Sequence, residues 1–313
     1  MAGMQGIRRP DVLVLGSGGV LGEAWLRACL GGVEAESGWD LRACDAFVGT
    51  SAGSIVAAAL AAGRRPRATG AVADAWERGA SGAVATPEEG GLREGLGALA
   101  RRAGGTALAA AAPVAPAVAA GLEPGGAALR AALLRRGGRP TREIPRLRGA
   151  LERMGGVFDG RLRVAAVDRA TGRRVIFGAP GAPEAGVTEA VLASCAVPWV
   201  FRPVAIGGRE YVDGGFWSAA NLDAAPAGRG AEVLCLVPTA STRLAVDRLG
   251  ALRAFAGAGA AAEALVLRRR GARVRVVSPD AASVRAIGPN LFDGGRRAEV
   301  EAAGYAQGRT LAG

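Results

Sequence analysis

The chain has 313 residues, half of them hydrophobic, and a formal net charge of +11. All 39 basic residues are Arg, with no Lys and no His. Those absences exclude a Walker A site, Schiff-base catalysis and kinase chemistry, which need Lys, and a His-ligated zinc or c-type haem, which needs His.

In chain order, Val12-Leu13-Val14-Leu15 is an unbroken apolar run that ends in Gly16-Ser17-Gly18-Gly19. It predicts a buried strand followed by a glycine-rich turn. A helix is predicted over 20–35, with Trp25, Leu26, Cys29, Leu30 and Val33 on one face. A second short strand over 45–49 runs into Thr50-Ser51, and an Ala-rich helix over 52–62 closes at Gly63. Strand, helix, strand, helix at this spacing is the pattern of a parallel sheet.

Residues 64–148 are rich in Ala, Gly and Arg and carry no catalytic spacing. They are expected to form a helical insertion, with a lid or acyl pocket as its proposed use. Strand signals return at 162–168 and 174–177, joined by the turn Arg169-Ala170-Thr171-Gly172. A helix over 187–196 stops before Pro198, and Tyr211-Val212-Asp213 ends a strand before Gly214-Gly215. Strands at 232–237 and 274–277 flank a helix from about 246 to 269, and Asn290-Leu291-Phe292-Asp293 leads into a closing helix. No repeat or linker interrupts this order, so a single domain over 1–313 is expected.

Gly49-Thr50-Ser51-Ala52-Gly53 is a G-x-S-x-G signature, the sequence form of a tight strand-to-helix turn that exposes a serine hydroxyl. A serine nucleophile ordinarily loses its proton to an imidazole. In a chain without His, either Ser51 is not a nucleophile or a carboxylate takes the proton. Gly16-Ser17-Gly18-Gly19-Val20-Leu21-Gly22 is a second site candidate, because its backbone N–H groups can hold an anion. That anion is either a tetrahedral oxyanion formed at Ser51 or a dinucleotide pyrophosphate. The second choice fits less well, because G-x-G-x-x-G needs glycine where Leu21 stands. Two aspartates precede paired glycines, Asp213-Gly214-Gly215 and Asp293-Gly294-Gly295. Asp213 closes a predicted strand, whereas Asp293 reads as a helix cap, so Asp213 is the preferred base. Ala193-Ser194-Cys195-Ala196-Val197-Pro198 alone reads as core packing.

Four segments in this order resemble the patatin-like phospholipase family: the Gly16-to-Gly22 loop, Gly49-Thr50-Ser51-Ala52-Gly53, Ala193-Ser194 with Pro198, and Asp213-Gly214-Gly215. The resemblance spans residues 12–215. It implies a three-layer α/β/α sandwich with a mainly parallel central sheet. It also implies hydrolysis of lipid acyl esters by a Ser51–Asp213 dyad, without cofactor or metal. In that scheme the N–H groups of Gly18, Gly19 and Ala52 line the oxyanion hole. The loop departs from the family at Leu21, where Arg or Lys usually stands.

Two other readings stay open on sequence. One is a non-catalytic lipid- or membrane-binding member of the same fold. The other is a dinucleotide-binding oxidoreductase that uses Glu34, Glu36 or Asp40 as its ribose acid. The expected substrate is a lipid or small acyl ester, and the sequence sets no oligomeric state. The Arg clusters at 64–67, 135–136 and 268–270 read as solvated surface and leave room for contact with an anionic membrane. Nucleic acid is not an expected partner, because only 4% of the chain is aromatic and stacking platforms are lacking. Cys29, Cys44, Cys195 and Cys235 are widely spaced and read as buried thiols. Residues 1–11 hold no apolar core of signal-peptide length, so a cytoplasmic location is expected.

Overall fold

The computed structural model describes residues 7–66, 125–136, 140–240 and 248–313. Most of the expected 64–148 insertion therefore lies outside the described residues. The elements run β1 (Val12–Leu15), α1 (Gly19–Ser37), β2 (Ala46–Thr50), α2 (Ala52–Ala61), α3 (Gly125–Arg136), α4 (Pro145–Met154), β3 (Leu162–Asp168) and β4 (Arg174–Phe177). They continue with α5 (Val187–Ser194), β5 (Val204–Ile206), β6 (Arg209–Asp213), β7 (Glu232–Leu236), α6 (Arg248–Arg269), β8 (Arg273–Val277), α7 (Ala281–Ile287) and α8 (Arg297–Ala312). The sequence reading had no strand at β5 and extended α5 two residues too far. The Ala-rich helix ends at Ala61 and is followed, past its cap Ala62, by the expected Gly63, whose φ of 77° lets the chain turn away.

Five strands form the parallel centre, in the spatial order β3-β2-β1-β7-β8. Alternate side chains along them face opposite ways. Leu13, Leu15, Phe47, Leu234 and Leu236 join the core beneath α1, α2, α5 and α8. Val12, Val14, Val48, Val233 and Cys235 join a second core against α6. A sheet with both faces buried between helices is a three-layer α/β/α sandwich, and it explains why β1 is apolar at every position.

The antiparallel strands attach at β3. One edge of β3 is taken by β4, which pairs Val164 to Val167. The other edge is divided. Residues Leu162 to Ala165 pair with β2, and Ala166 to Asp168 pair with β6. A residue has only two lateral neighbours, so β2 and β6 must occupy one lane and meet end to end. The tips that meet are Thr50 and Asp213.

Helix α1 is fixed from behind by α8. Their backbones approach so closely that a Cβ on Gly308 would fall on the Cys29 carbonyl, and one on Gly32 on the Tyr305 carbonyl. Trp25 Nε1 donates to Gln307 Oε1 at 3.0 Å across this interface. Helix α1 is therefore pinned to α8 from Trp25 to Gly32.

Candidate active site

Loops at the carboxyl ends of β1, β2 and β6 converge on one point. This is the edge at which open α/β sheets place their ligand sites.

Ser51 follows β2 directly and has φ 52°, ψ −122°. A non-glycine residue with positive φ is strained, and the surrounding structure must hold it there. Several contacts do so. The Ser51 N–H donates to Ser194 Oγ at 2.8 Å, and the Ser51 carbonyl accepts from Ser54 Oγ at 2.6 Å. Two glycines let the turn close. A Cβ on Gly53 would collide with the Leu15 carbonyl, and one on Gly49 with the Gly53 carbonyl at 2.8 Å. The first turn of α2, with Ala52 at its head, is thereby pressed against the end of β1.

The glycine-rich loop begins at that same end of β1. Gly16 N–H donates to Leu236 O at 2.9 Å, and Ser17 N–H to Ala219 O at 2.8 Å. Gly18 caps α1 and Gly19 is its first residue. First-turn N–H groups have no carbonyl four residues back, so those of Gly19 and Ala52 stand at the positive ends of two neighbouring helices. Gly19 has φ 59°, and a Cβ there would come within 3.0 Å of the Leu291 carbonyl. The Leu21 N–H already donates to that carbonyl at 2.9 Å. The Leu21 side chain is fully buried in the core, so this position anchors the loop by packing and a backbone bond. Gly22 lies in α1 under Pro238.

Asp213 ends β6 and is 5% exposed, and Ser51 is 4% exposed. The Asp213 N–H donates to Ala196 O at 3.0 Å, and its Oδ1 accepts from the Gly215 N–H at 2.7 Å. Burial pushes the Asp213 carboxyl up to about 7, against the pull of hydrogen bonds from the Ser51 side chain and the Gly215 N–H. Gly214 lies so close to Ala165 that its Cβ would overlap the Ala165 carbonyl, and a Cβ on Gly215 would touch the Ser17 side chain at 3.5 Å. The sequence-selected Ser51, Asp213, Gly49, Gly53, Gly214, Gly215 and the Gly16 end of the glycine loop are thus brought together. Asp293 instead accepts the Gly295 N–H at 3.2 Å at the head of a short turn before α8, a helix-cap role.

Two residues of the site carry no role in the sequence reading. Ser194 stands in one of the family-like motifs but taken alone reads as core packing, yet its hydroxyl is the acceptor for the strained Ser51 N–H. Asn221 had no motif at all, and its side chain touches both Thr50 and Gly214. The motif Ala193-Ser194 with Pro198 pointed to the first without assigning it a role.

A second raised carboxyl lies behind the site. Burial pushes Glu263 of α6 up to about 7, with Asp223 adding to it, while bonds from Ser218 and the Leu222 N–H pull it down. Burial also raises the thiols of Cys195 and Cys235 well above their ordinary range, so both are neutral packing groups. Among the described residues no cluster of His, Cys, Asp and Glu could hold a metal, and no helix is long and apolar enough to cross a membrane.

A family model described as patatin-like phospholipase matches residues 13–226. Among solved structures, the chain is similar to VipD from Legionella pneumophila at a TM-score of 0.45 and 16% identity, over 98% of this chain and 67% of that one. No curated protein matches the chain.

Proposed function

The chain belongs to the patatin-like phospholipase family, a family of lipid acyl hydrolases, and from that premise we propose that it cleaves lipid acyl esters through a Ser51–Asp213 dyad. Ser51 Oγ attacks the acyl carbonyl carbon while its proton passes to the Asp213 carboxylate. The tetrahedral oxygen is received by the N–H groups of Gly18, Gly19 and Ala52. Each such donor is typically worth about 3 kcal/mol of barrier. When the intermediate collapses, the carbon–oxygen bond to the alcohol breaks and Asp213 returns the proton to the leaving oxygen. Asp213 then takes a proton from water, the hydroxide attacks the acyl-enzyme, and the freed Ser51 oxygen is reprotonated.

The observation that carries this reading is the end-to-end meeting of β2 and β6, which brings buried Ser51 up to buried Asp213, a carboxyl that burial pushes up to about 7. An ordinary Asp is too weak a base at neutral pH, and one with a pKa near 7 is matched to the task. The Leu21 position, which lacks the family's usual cation, leaves backbone N–H groups as the oxyanion donors.

The test is a fluorophosphonate probe together with a chromogenic acyl ester. Wild type is expected to take up the probe at Ser51 and to hydrolyse the ester, and Ser51→Ala to do neither. Lipid binding without labelling would favour the non-catalytic reading, and equal hydrolysis by Ser51→Ala would end the proposal.

A further inference from the structure

Asn221 is fully buried and sits in the left-handed region at φ 51°, a conformation Asn tolerates better than most residues. That turn directs its carboxamide at the junction of β2 and β6. Nδ2 donates to Thr50 Oγ1 at 3.0 Å and to Ser218 O at 2.8 Å, with Gly214 O also within reach at 3.3 Å. Thr50 is the residue before Ser51, and Gly214 is the residue after Asp213. One side chain therefore contacts the neighbours of both members of the pair. Oδ1 accepts from Arg174 Nη1 at 3.2 Å, which fixes which end of the amide faces the junction. Arg174 is itself held by both carboxylate oxygens of Asp223, at 2.6 and 2.7 Å. The Asn221 N–H donates to Ser218 Oγ at 3.1 Å, and the next residue, Leu222, donates its N–H to Glu263 Oε2 at 2.8 Å.

The strands need such a link. Both β2 and β6 pair with β3, and neither is laddered to the other. Pairing with β3 sets where along the lane each tip falls, and a direct link between the tips holds the finer spacing that a proton transfer needs. We propose that Asn221 is a positioning residue that ties the ends of β2 and β6 together and so sets the distance over which the Ser51 proton moves. It touches no substrate and acts through Thr50 and Gly214. The inference rests on the acyl-hydrolase reading above.

The test uses the full chain with p-nitrophenyl butyrate and compares wild type, Asn221→Gly, Thr50→Val and Ser51→Ala. Glycine keeps the left-handed backbone and removes the amide; valine keeps the shape of Thr50 and removes the acceptor. Rates are measured on folded, monodisperse protein well below each variant's melting temperature. A misplacement of about 1 Å at a reacting pair costs about 100-fold. Asn221→Gly is expected to lower kcat by about 10- to 100-fold with KM nearly unchanged, and Thr50→Val by a smaller factor. The acid limb of the kcat profile is also expected to move to higher pH, because a looser Ser51 contact no longer lowers the Asp213 pKa. Arg174, Asp223 and Glu263 surround the Asn221 network and Cys195 faces Asp213, so Glu263→Gln is run beside the others to identify its share of the profile.

A purely structural role would lower the melting temperature and leave kcat and the pH midpoint where they are. That result in both variants overturns the proposal, and Thr50→Val decides alone if Asn221→Gly does not fold. If wild type and Ser51→Ala hydrolyse equally, the acyl-hydrolase reading fails and the kinetic role of Asn221 falls with it. If Ser51→Ala is inactive and the clamp variants match wild type, the clamp alone is wrong.

Discussion

Thr50 ends β2 opposite Ala165, and Asp213 ends β6 opposite Ala166, on the same edge of β3. A parallel strand and an antiparallel one thus arrive tip to tip in one lane of the sheet. Ser51 is the next residue after Thr50, so its approach to Asp213 is fixed by backbone register.

In the proposed dyad Asp213 must be ionised to take the Ser51 proton, and burial pushes its pKa up to about 7. Hydrolysis of an uncharged ester is therefore expected to fall about tenfold per unit below pH 7 and to level off above it. A kcat/KM profile between about pH 5 and 9 checks this. A flat profile across that window contradicts Asp213 as the base.

The same burial has a stability cost with a definite sign. The folded pKa, about 7, lies above the ordinary aspartate value of 3.8, so the folded state binds the proton more tightly. The resulting stabilisation is complete below the unfolded pKa and is lost as pH rises through about 7. Asp213→Asn escapes that loss. It is expected to be more stable than wild type at pH 8, by about 1–4 kcal/mol, while its hydrolysis falls about 10²- to 10⁴-fold. Urea melts at acid and alkaline pH measure the first, and the gain is expected to shrink in acid.

Ser194→Ala deletes the acceptor of the buried Ser51 N–H. An orphaned donor costs about 1–3 kcal/mol, and here the cost falls on the strained residue itself. Lower stability and slower fluorophosphonate labelling are both expected, with Ser194→Thr, which keeps the oxygen, closer to wild type. Unchanged labelling in Ser194→Ala would detach Ser194 from the geometry of Ser51.

Two glycine substitutions separate crowding from conformational freedom. Gly53→Ala drives a methyl into the Leu15 carbonyl and is expected to prevent folding or cost more than about 3 kcal/mol. Gly38→Ala, at φ 72° with nothing within 4 Å, is expected to cost only about 1–2 kcal/mol. Soluble yield and denaturant midpoints distinguish them. A stable Gly53→Ala protein would mean that α2 does not press on β1.

Much of this site was legible in the chain. Apolar runs of strand length, broken by Gly16-Ser17-Gly18-Gly19 and by Gly49-Thr50-Ser51, encode buried parallel strands with loops at their carboxyl ends, because such strands must be apolar on both faces. The total lack of His narrowed the candidate bases to carboxylates. The glycines at 49 and 53 were visible as motif positions, and their spacing announced a turn that tolerates no Cβ. Asp293 could be set aside on local grounds, since an Asp ahead of a helix is a cap.

What the sequence determined by itself was local: which segments are strands, where the chain must turn sharply, and which residue types can move a proton. Tertiary structure alone decided the rest. The upward shift of Asp213 comes from burial by the surrounding fold, and the lane shared by β2 and β6 comes from the pairing of both with β3, which lies far from each of them along the chain. Ser194 and Asn221 matter only because the fold lays them beside Ser51 and Thr50. Hydrogen bonds reach about 3 Å, and desolvation depends on everything packed around a group, so neither can be read from neighbours in the chain.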